Sequence, residues 1–181
     1  MCDDISKEDA ERLSKLWRNC QKNHCFPDPI SKESSGLVDL YHATTKENRA
    51  SILSSGKFLV PSRKYAIENG LKLGAAVYFG SNPDYCISEA RNTESNEGKD
   101  IVLIRVEMDL GRCINLGNYD DGNNLSWKDW EWMTERLTKV EGTKFGFDSL
   151  CMNKNSKSFE IAVYEPYNHI KNISSLGVIV L

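Results

Sequence analysis

The run Asp100-Ile-Val-Leu-Ile-Arg-Val-Glu-Met-Asp-Leu110 restricts the folding options of this chain more than any other stretch. Its first half is apolar and rich in β-branched residues, the pattern of a strand covered on both faces of a sheet. Shorter strand candidates surround it: Leu37–His42, Lys57–Val60, Ala75–Gly80, Phe147–Met152, Ser158–Glu165 and Leu176–Leu181. Arg112–Leu116 reads as a continuation of the main strand beyond the Gly111 break. Three helices are predicted between them. Thr44-Thr-Lys-Glu47 forms a capping box for a helix carrying Ala50, Ile52 and Leu53, which stops at Gly56. Asn82 caps a second helix with Pro83 at its first position, where a missing N–H costs nothing. Ser126 opens a third that ends at Gly142, and its Trp127, Trp130, Met133 and Leu137 recur at helical spacing, as packing residues do. Pro61–Gly74 reads as a polar connection. Short loops join the strands of the second half, so the predicted class is α+β: a mixed, mostly antiparallel sheet with flanking helices.

The division of the chain is two-part. In residues 1–36, Ser6 caps an amphipathic helix with Ala10, Leu13, Leu16, Trp17 and Cys20 on one stripe, followed by a Pro-, Ser- and Gly-rich connector. That stripe either packs on the main domain or docks a protein partner. Residues 37–181 form the domain itself, and 181 residues suit one core without staples. A net charge of −3 argues against nucleic-acid or membrane-surface binding through bulk charge. No apolar run is long enough to span a bilayer, and Met1-Cys-Asp-Asp lacks the basic and apolar regions of a signal peptide. The expected location is therefore the cytoplasm or the nucleus, with the irregularly spaced cysteines as free thiols. Cys20, His24 and Cys25 offer three soft ligands but no fourth at a recognised spacing, so no metal is expected.

Chemistry concentrates in three segments. Leu73–Cys86 delivers the aromatic pair Tyr78-Phe79 from a strand into a helix N-terminus. That makes a floor for a flat, anionic ligand: the amides favour phosphate and the ring favours a stacked heterocycle. Tyr41-His-Ala-Thr44 closes the first strand. In Ser158-Phe-Glu-Ile-Ala-Val-Tyr-Glu165, Glu160 heads an apolar strand, a costly position for a carboxylate unless it faces a cleft or a partner.

Together the three segments resemble the catalytic domain of the PARP-like ADP-ribosyltransferases, the class identified by a His–Tyr–Glu signature. The family's His-Gly-Thr/Ser reads His42-Ala-Thr44 here, and its Ile…Gly-Phe-like stretch reads Ile52 and Gly56-Lys-Phe58. Gly-(small)-Gly-(Ile/Val)-Tyr-Phe reads Gly74-Ala-Ala-Val-Tyr-Phe79, and the Glu leading a Val-Tyr-Asp strand reads Glu160-Ile-Ala-Val-Tyr-Glu165. The resemblance spans Val38 to Pro166, and among the family's members the chain looks similar to small stand-alone domains such as the virus-induced PARP-like proteins of fish.

The resemblance implies a split β-sheet, the ADP-ribosyltransferase fold. It implies transfer of single ADP-ribose units from NAD, the co-substrate, to a protein acceptor, with release of nicotinamide, in an antiviral or stress response. His42 would hydrogen-bond NAD ribose hydroxyls, with Ala43 gripping the nicotinamide amide through its backbone and Thr44 near the adenosine-side ribose. Tyr78 would stack on nicotinamide. Glu160 would hold the ribose 2′-OH and stabilise the charge that grows on C1′. Arg63, and Lys64 beside it, would reach the pyrophosphate, and the loop Asn153–Lys157 would face the acceptor. The sequence departs from the family at three places. Ala43 replaces a Gly, Cys86 replaces the nicotinamide-binding Ser, and Glu89 replaces a second stacking aromatic, a role Tyr85 can take one helical turn earlier. These departures support an alternative, a PARP-like module that binds NAD or proteins without turnover. Phosphoryl transfer from RNA by a related fold is disfavoured, since no basic cluster surrounds the pocket in sequence.

Overall fold

The computed structural model describes residues 37–111, 113–118, 131, 133–135, 137–139, 148–155 and 158–179. Among the described residues there are seven strands: β1 (Leu37–Thr45), β2 (Val77–Gly80), β3 (Ile101–Asp109), β4 (Cys113–Asn118), β5 (Ser149–Asn155), β6 (Ser158–Val163) and β7 (Ile170–Ile179). The helices α1 (Lys46–Ser55), α2 (Arg63–Glu68) and α3 (Pro83–Arg91) accompany them, and residues 131 and 133–135 are helical as well. The strands form one sheet in the order β4-β5-β6-β2-β1-β3-β7. Its neighbours run antiparallel except β4 and β5, which are parallel, so the fold is α+β with a mixed, mostly antiparallel sheet. Among the described residues, no helix is long and apolar enough to cross a membrane.

The sheet is nearly two sheets. β1 pairs with β3 along its whole length, from Leu37↔Asp109 to Thr45↔Ile101, and β2 pairs with β6 from Val77↔Val163 to Gly80↔Glu160. Between them, β1 and β2 meet at a single pair, Tyr41↔Gly80. A gap of this kind leaves backbone groups that a ladder would otherwise consume, and they must find other partners.

One face of the sheet carries the main core. Val38, Leu40, Val77, Phe79, Ile104, Val106, Met108, Phe159, Ile161 and Val163 alternate onto it, and Ile52 of α1 and Phe58 close over it. α3 covers the opposite face, the one that Tyr41, Gly80 and Glu160 share by register. Buried Ala90 is the contact residue of its last turn.

Several sequence expectations change. Thr45 caps α1, its hydroxyl accepting from the Asn48 amide at 3.4 Å, so the cap falls one residue after Thr44. Thr44 is buried at the end of β1 and accepts from Asn48 Nδ2 at 3.3 Å. Lys57–Val60 is not a strand. Phe58 alone is buried there, while Leu59 is 90% exposed, and none of the described strands pairs with this segment. Pro61–Gly74 contains α2, capped by Ser62 and anchored by buried Ala66. The central strand is shorter than expected and begins at Val77. After Gly111 the chain does not prolong β3; β4 crosses to the far edge and joins β5. The last strand starts at Ile170, earlier than Leu176, because β3 offers it a full-length edge. The N-terminal appendage, including Cys20, His24 and Cys25, lies outside the described residues, as do Trp127 and Trp130. Met133 and Leu137 are buried.

Candidate functional site

A cleft of about 390 Å³ opens where β1 and β2 part. His42 and Ala43 of β1, Tyr78 and Gly80 of β2, Tyr85, Cys86 and Glu89 of α3, and Glu160 of β6 all line it. The His, Tyr and Glu singled out in sequence, up to 118 residues apart (160 − 42), therefore border one cavity. Its volume lies within the usual range for small-molecule sites, roughly 300–1,000 Å³.

His42 bridges the gap in the sheet. Its Nδ1 lies 2.8 Å from the carbonyl oxygen of Tyr78, on the strand across the split. A carbonyl only accepts, so Nδ1 carries the proton and Nε2 is left as an acceptor. Burial pushes the imidazole pKa below its ordinary value, the Tyr78 bond opposing that in part, so His42 is neutral near pH 7. Phe58 meets the ring edge-on at 5.2 Å, and Phe79 lies at 5.7 Å.

Tyr78 turns its hydroxyl back onto the chain before it. The Leu73 amide donates to Oη at 2.9 Å, and Oη donates to the Gly74 carbonyl at 2.9 Å. Tyr164 Oη adds a bond to the Leu73 carbonyl at 2.6 Å, and the Ala75 amide donates to the Leu137 carbonyl at 2.9 Å. Gly74 has φ of +82°, and a Cβ there would overlap the Leu137 carbonyl, so this position requires glycine twice over. The wall segment Leu73–Ala76 is thus tied down at both ends. The Tyr78 ring has one fixed orientation, with its phenol spent on the wall rather than offered to a ligand.

Glu160 reaches the same space electrostatically. Burial is the main reason the phenols of Tyr78 and Tyr85 and the thiol of Cys86 are pushed up, and the Glu160 charge adds to each. Cys86 rises to about 11, so it is a neutral thiol at physiological pH. Its Sγ donates weakly to the Tyr41 carbonyl at 3.6 Å, beside the single pair that joins β1 to β2. A Cβ at Gly80 would overlap that sulfur. Gly80→Ala is therefore expected to cost about 1–3 kcal/mol of stability, and less in a Cys86→Ala background, where the space is empty. Denaturant unfolding of the four proteins checks this; equal costs in both backgrounds would contradict it.

The predicted phosphate floor at the α3 N-terminus is corrected. Pro83 has no N–H, Asn82 Oδ1 takes the amides of Asp84 at 3.0 Å and Tyr85 at 3.3 Å, and the Cys86 amide bonds the Asn82 carbonyl at 3.1 Å. The helix consumes its own first turn, and nothing there faces an anion. Arg63 is exposed at the start of α2 and does not line the cleft, nor does Lys64, which sits 3.8 Å from Glu68 on the surface. Thr44 does not line it either. Among the described residues, Lys72 is the basic side chain on the cleft wall, and α2 contributes Tyr65 and, at its C-cap, Asn69. The signal for this was available: Ser62 followed by Tyr65 and Asn69, four apart, is a capped turn with one polar face. The backbone of Asn153–Asn155 ends β5, and Ser156 and Lys157 lie outside the described residues.

No family model matches the chain, and no curated protein matches it either.

Proposed function

We propose that this chain is an NAD-dependent ADP-ribosyltransferase that moves one ADP-ribose unit at a time to a protein acceptor and releases nicotinamide. The observation that carries the reading is the convergence of His42, Tyr78 and Glu160, from three strands, on one cleft at the split of the sheet. That split also supports assigning the domain to the ADP-ribosyltransferase fold.

Each side chain suits a defined part of the reaction. Neutral His42 accepts at Nε2 from a ribose hydroxyl, its ring held by Tyr78 and the two phenylalanines. Tyr78 supplies an immobilised ring face for nicotinamide. Glu160 fixes a ribose hydroxyl and sets a negative charge beside C1′. As the C1′–N1 bond breaks, its electron pair moves to the nicotinamide nitrogen and neutralises the ring, while C1′ gains positive charge. A preoriented carboxylate stabilises that charge more than it stabilises bound NAD, which is the condition for catalysis. A lone pair of the acceptor then forms the new bond to C1′, and the acceptor's proton passes to solvent. Lys72 lines the cleft and Arg63 does not, so Lys72 would meet the pyrophosphate.

A second reading, a module that binds NAD or a protein without turnover, draws on Cys86, whose thiol engages Tyr41 and offers a ligand a weak donor only. One experiment decides between them. The purified chain is incubated with NAD labelled in the adenosine half, and labelled protein and free nicotinamide are measured beside calorimetry with a non-hydrolysable NAD analogue. Label transfer with stoichiometric nicotinamide release is expected. Binding without transfer would favour the module, and absence of both would remove NAD from the account.

A further inference from the structure

We propose that Glu89 makes the nicotinamide end of the cleft selective for a positively charged ring, so that the site takes NAD in its oxidised form and discriminates against the reduced form. The proposal rests on the NAD reading above and assigns a function to a carboxylate which that reading leaves idle.

The cleft is unevenly charged. Glu89 and Glu160 line it from α3 and β6, together with the tyrosine rings Tyr78 and Tyr85, whereas Lys72 enters from the segment after α2. Glu89 follows Tyr85 by one helical turn, so the two residues lie on the same face of α3, and both line the cleft. Aromatic faces combined with carboxylates favour a flat cation, through the ring quadrupole and through direct Coulomb attraction. A neutral flat ring of the same size gains only the stacking. Oxidised nicotinamide carries such a charge and dihydronicotinamide does not, while the phosphates and ribose sugars of the two dinucleotides are the same.

The two carboxylates should act on opposite ends of the reaction coordinate. The positive charge leaves the ring as the C1′–N1 bond breaks, so a carboxylate held near the ring stabilises bound substrate more than the transition state. One held near C1′ does the reverse. Removing the Glu89 charge should therefore raise KM without lowering kcat, whereas removing Glu160 should lower kcat. A residue that merely supported the fold would not produce that split. Because Glu89 is exposed, solvent and salt limit its effect to roughly two- to fivefold in affinity.

The test titrates wild type, Glu89→Gln and Glu89→Asp with NAD and with NADH by calorimetry, at low and physiological salt, and measures nicotinamide release. Wild type is expected to bind NAD more tightly than NADH. Glu89→Gln should shrink that preference about two- to fivefold, raise KM and leave kcat unchanged or higher, and Glu89→Asp should restore part of the preference. An unchanged preference in Glu89→Gln, or a fall in kcat, would overturn the proposal. Equal binding of both dinucleotides by wild type would sink the role of Glu89 alone. Binding of neither would sink the NAD reading, and this proposal with it.

Discussion

Glu160→Gln is expected to lower nicotinamide release by about 10²–10³-fold while NAD affinity changes far less. The substitution keeps the shape and a carbonyl acceptor for a ribose hydroxyl, and deletes only the charge. If that charge acts on the growing positive charge at C1′, the loss appears in kcat, and KM stays close to wild type. The fold should survive, since Glu160 is half-buried at the cleft and Gln keeps its size and shape. Thermal unfolding of the variant checks this point. A readout independent of activity accompanies it: with the Glu160 charge gone, the Cys86 thiol should titrate below about 11 and alkylate faster at alkaline pH. Burial, the larger cause of the shift, remains, so the change is modest in size but fixed in sign. Full activity in Glu160→Gln would remove this residue from the catalytic assignment.

The sequence carried the positions of this site better than its supports. The Leu37 start of β1, the Gly80 end of β2 and the Asn82-Pro83 helix start are readable because β-branched runs, caps and Pro at the first helical position are local signals, whereas β1 runs on to Thr45, past the expected end at His42. That Glu160 would sit opposite Gly80, and that His42 would stand in for ladder bonds across a split, depends on pairing between strands far apart in the chain, which no local pattern encodes. The role of Arg63 at the pyrophosphate is what the family resemblance implies, and the local fold does not place it there. Once Ser62 caps α2, the first residue of that helix faces solvent, and Lys72 after the helix takes the place on the wall. The α3 N-terminus misled for a related reason. Asn82 is such a good cap that it uses up the amides an anion would need.

Phe79→Ala carries the largest expected cost in stability, about 3–5 kcal/mol. The side chain is 1% exposed, and its ring meets Phe58 at 5.2 Å, tilted by 73°, while both rings contact the His42 imidazole. Truncation removes the edge-to-face contacts and leaves a void between rings that cannot collapse onto one another. Against a typical total of about 5–15 kcal/mol, that is a third or more of the margin. The same void changes the titration of His42. In wild type, the folded pKa lies below the ordinary value of 6.5, so as pH falls through 6.5 the unfolded chain gains a proton that the buried imidazole refuses. Stability therefore declines below that pH and rises again to its plateau above it. With Phe79 truncated, water reaches the ring, the folded pKa moves back toward 6.5, and this part of the pH dependence flattens. Chemical denaturation between pH 5 and 8 (a range of roughly one to two units around the ordinary value), with the imidazole followed by NMR, measures both effects on one sample. A small loss of stability with an unchanged His42 titration would mean that the aromatic cluster does not hold the imidazole at the split, and that the bond to Tyr78 fixes it alone.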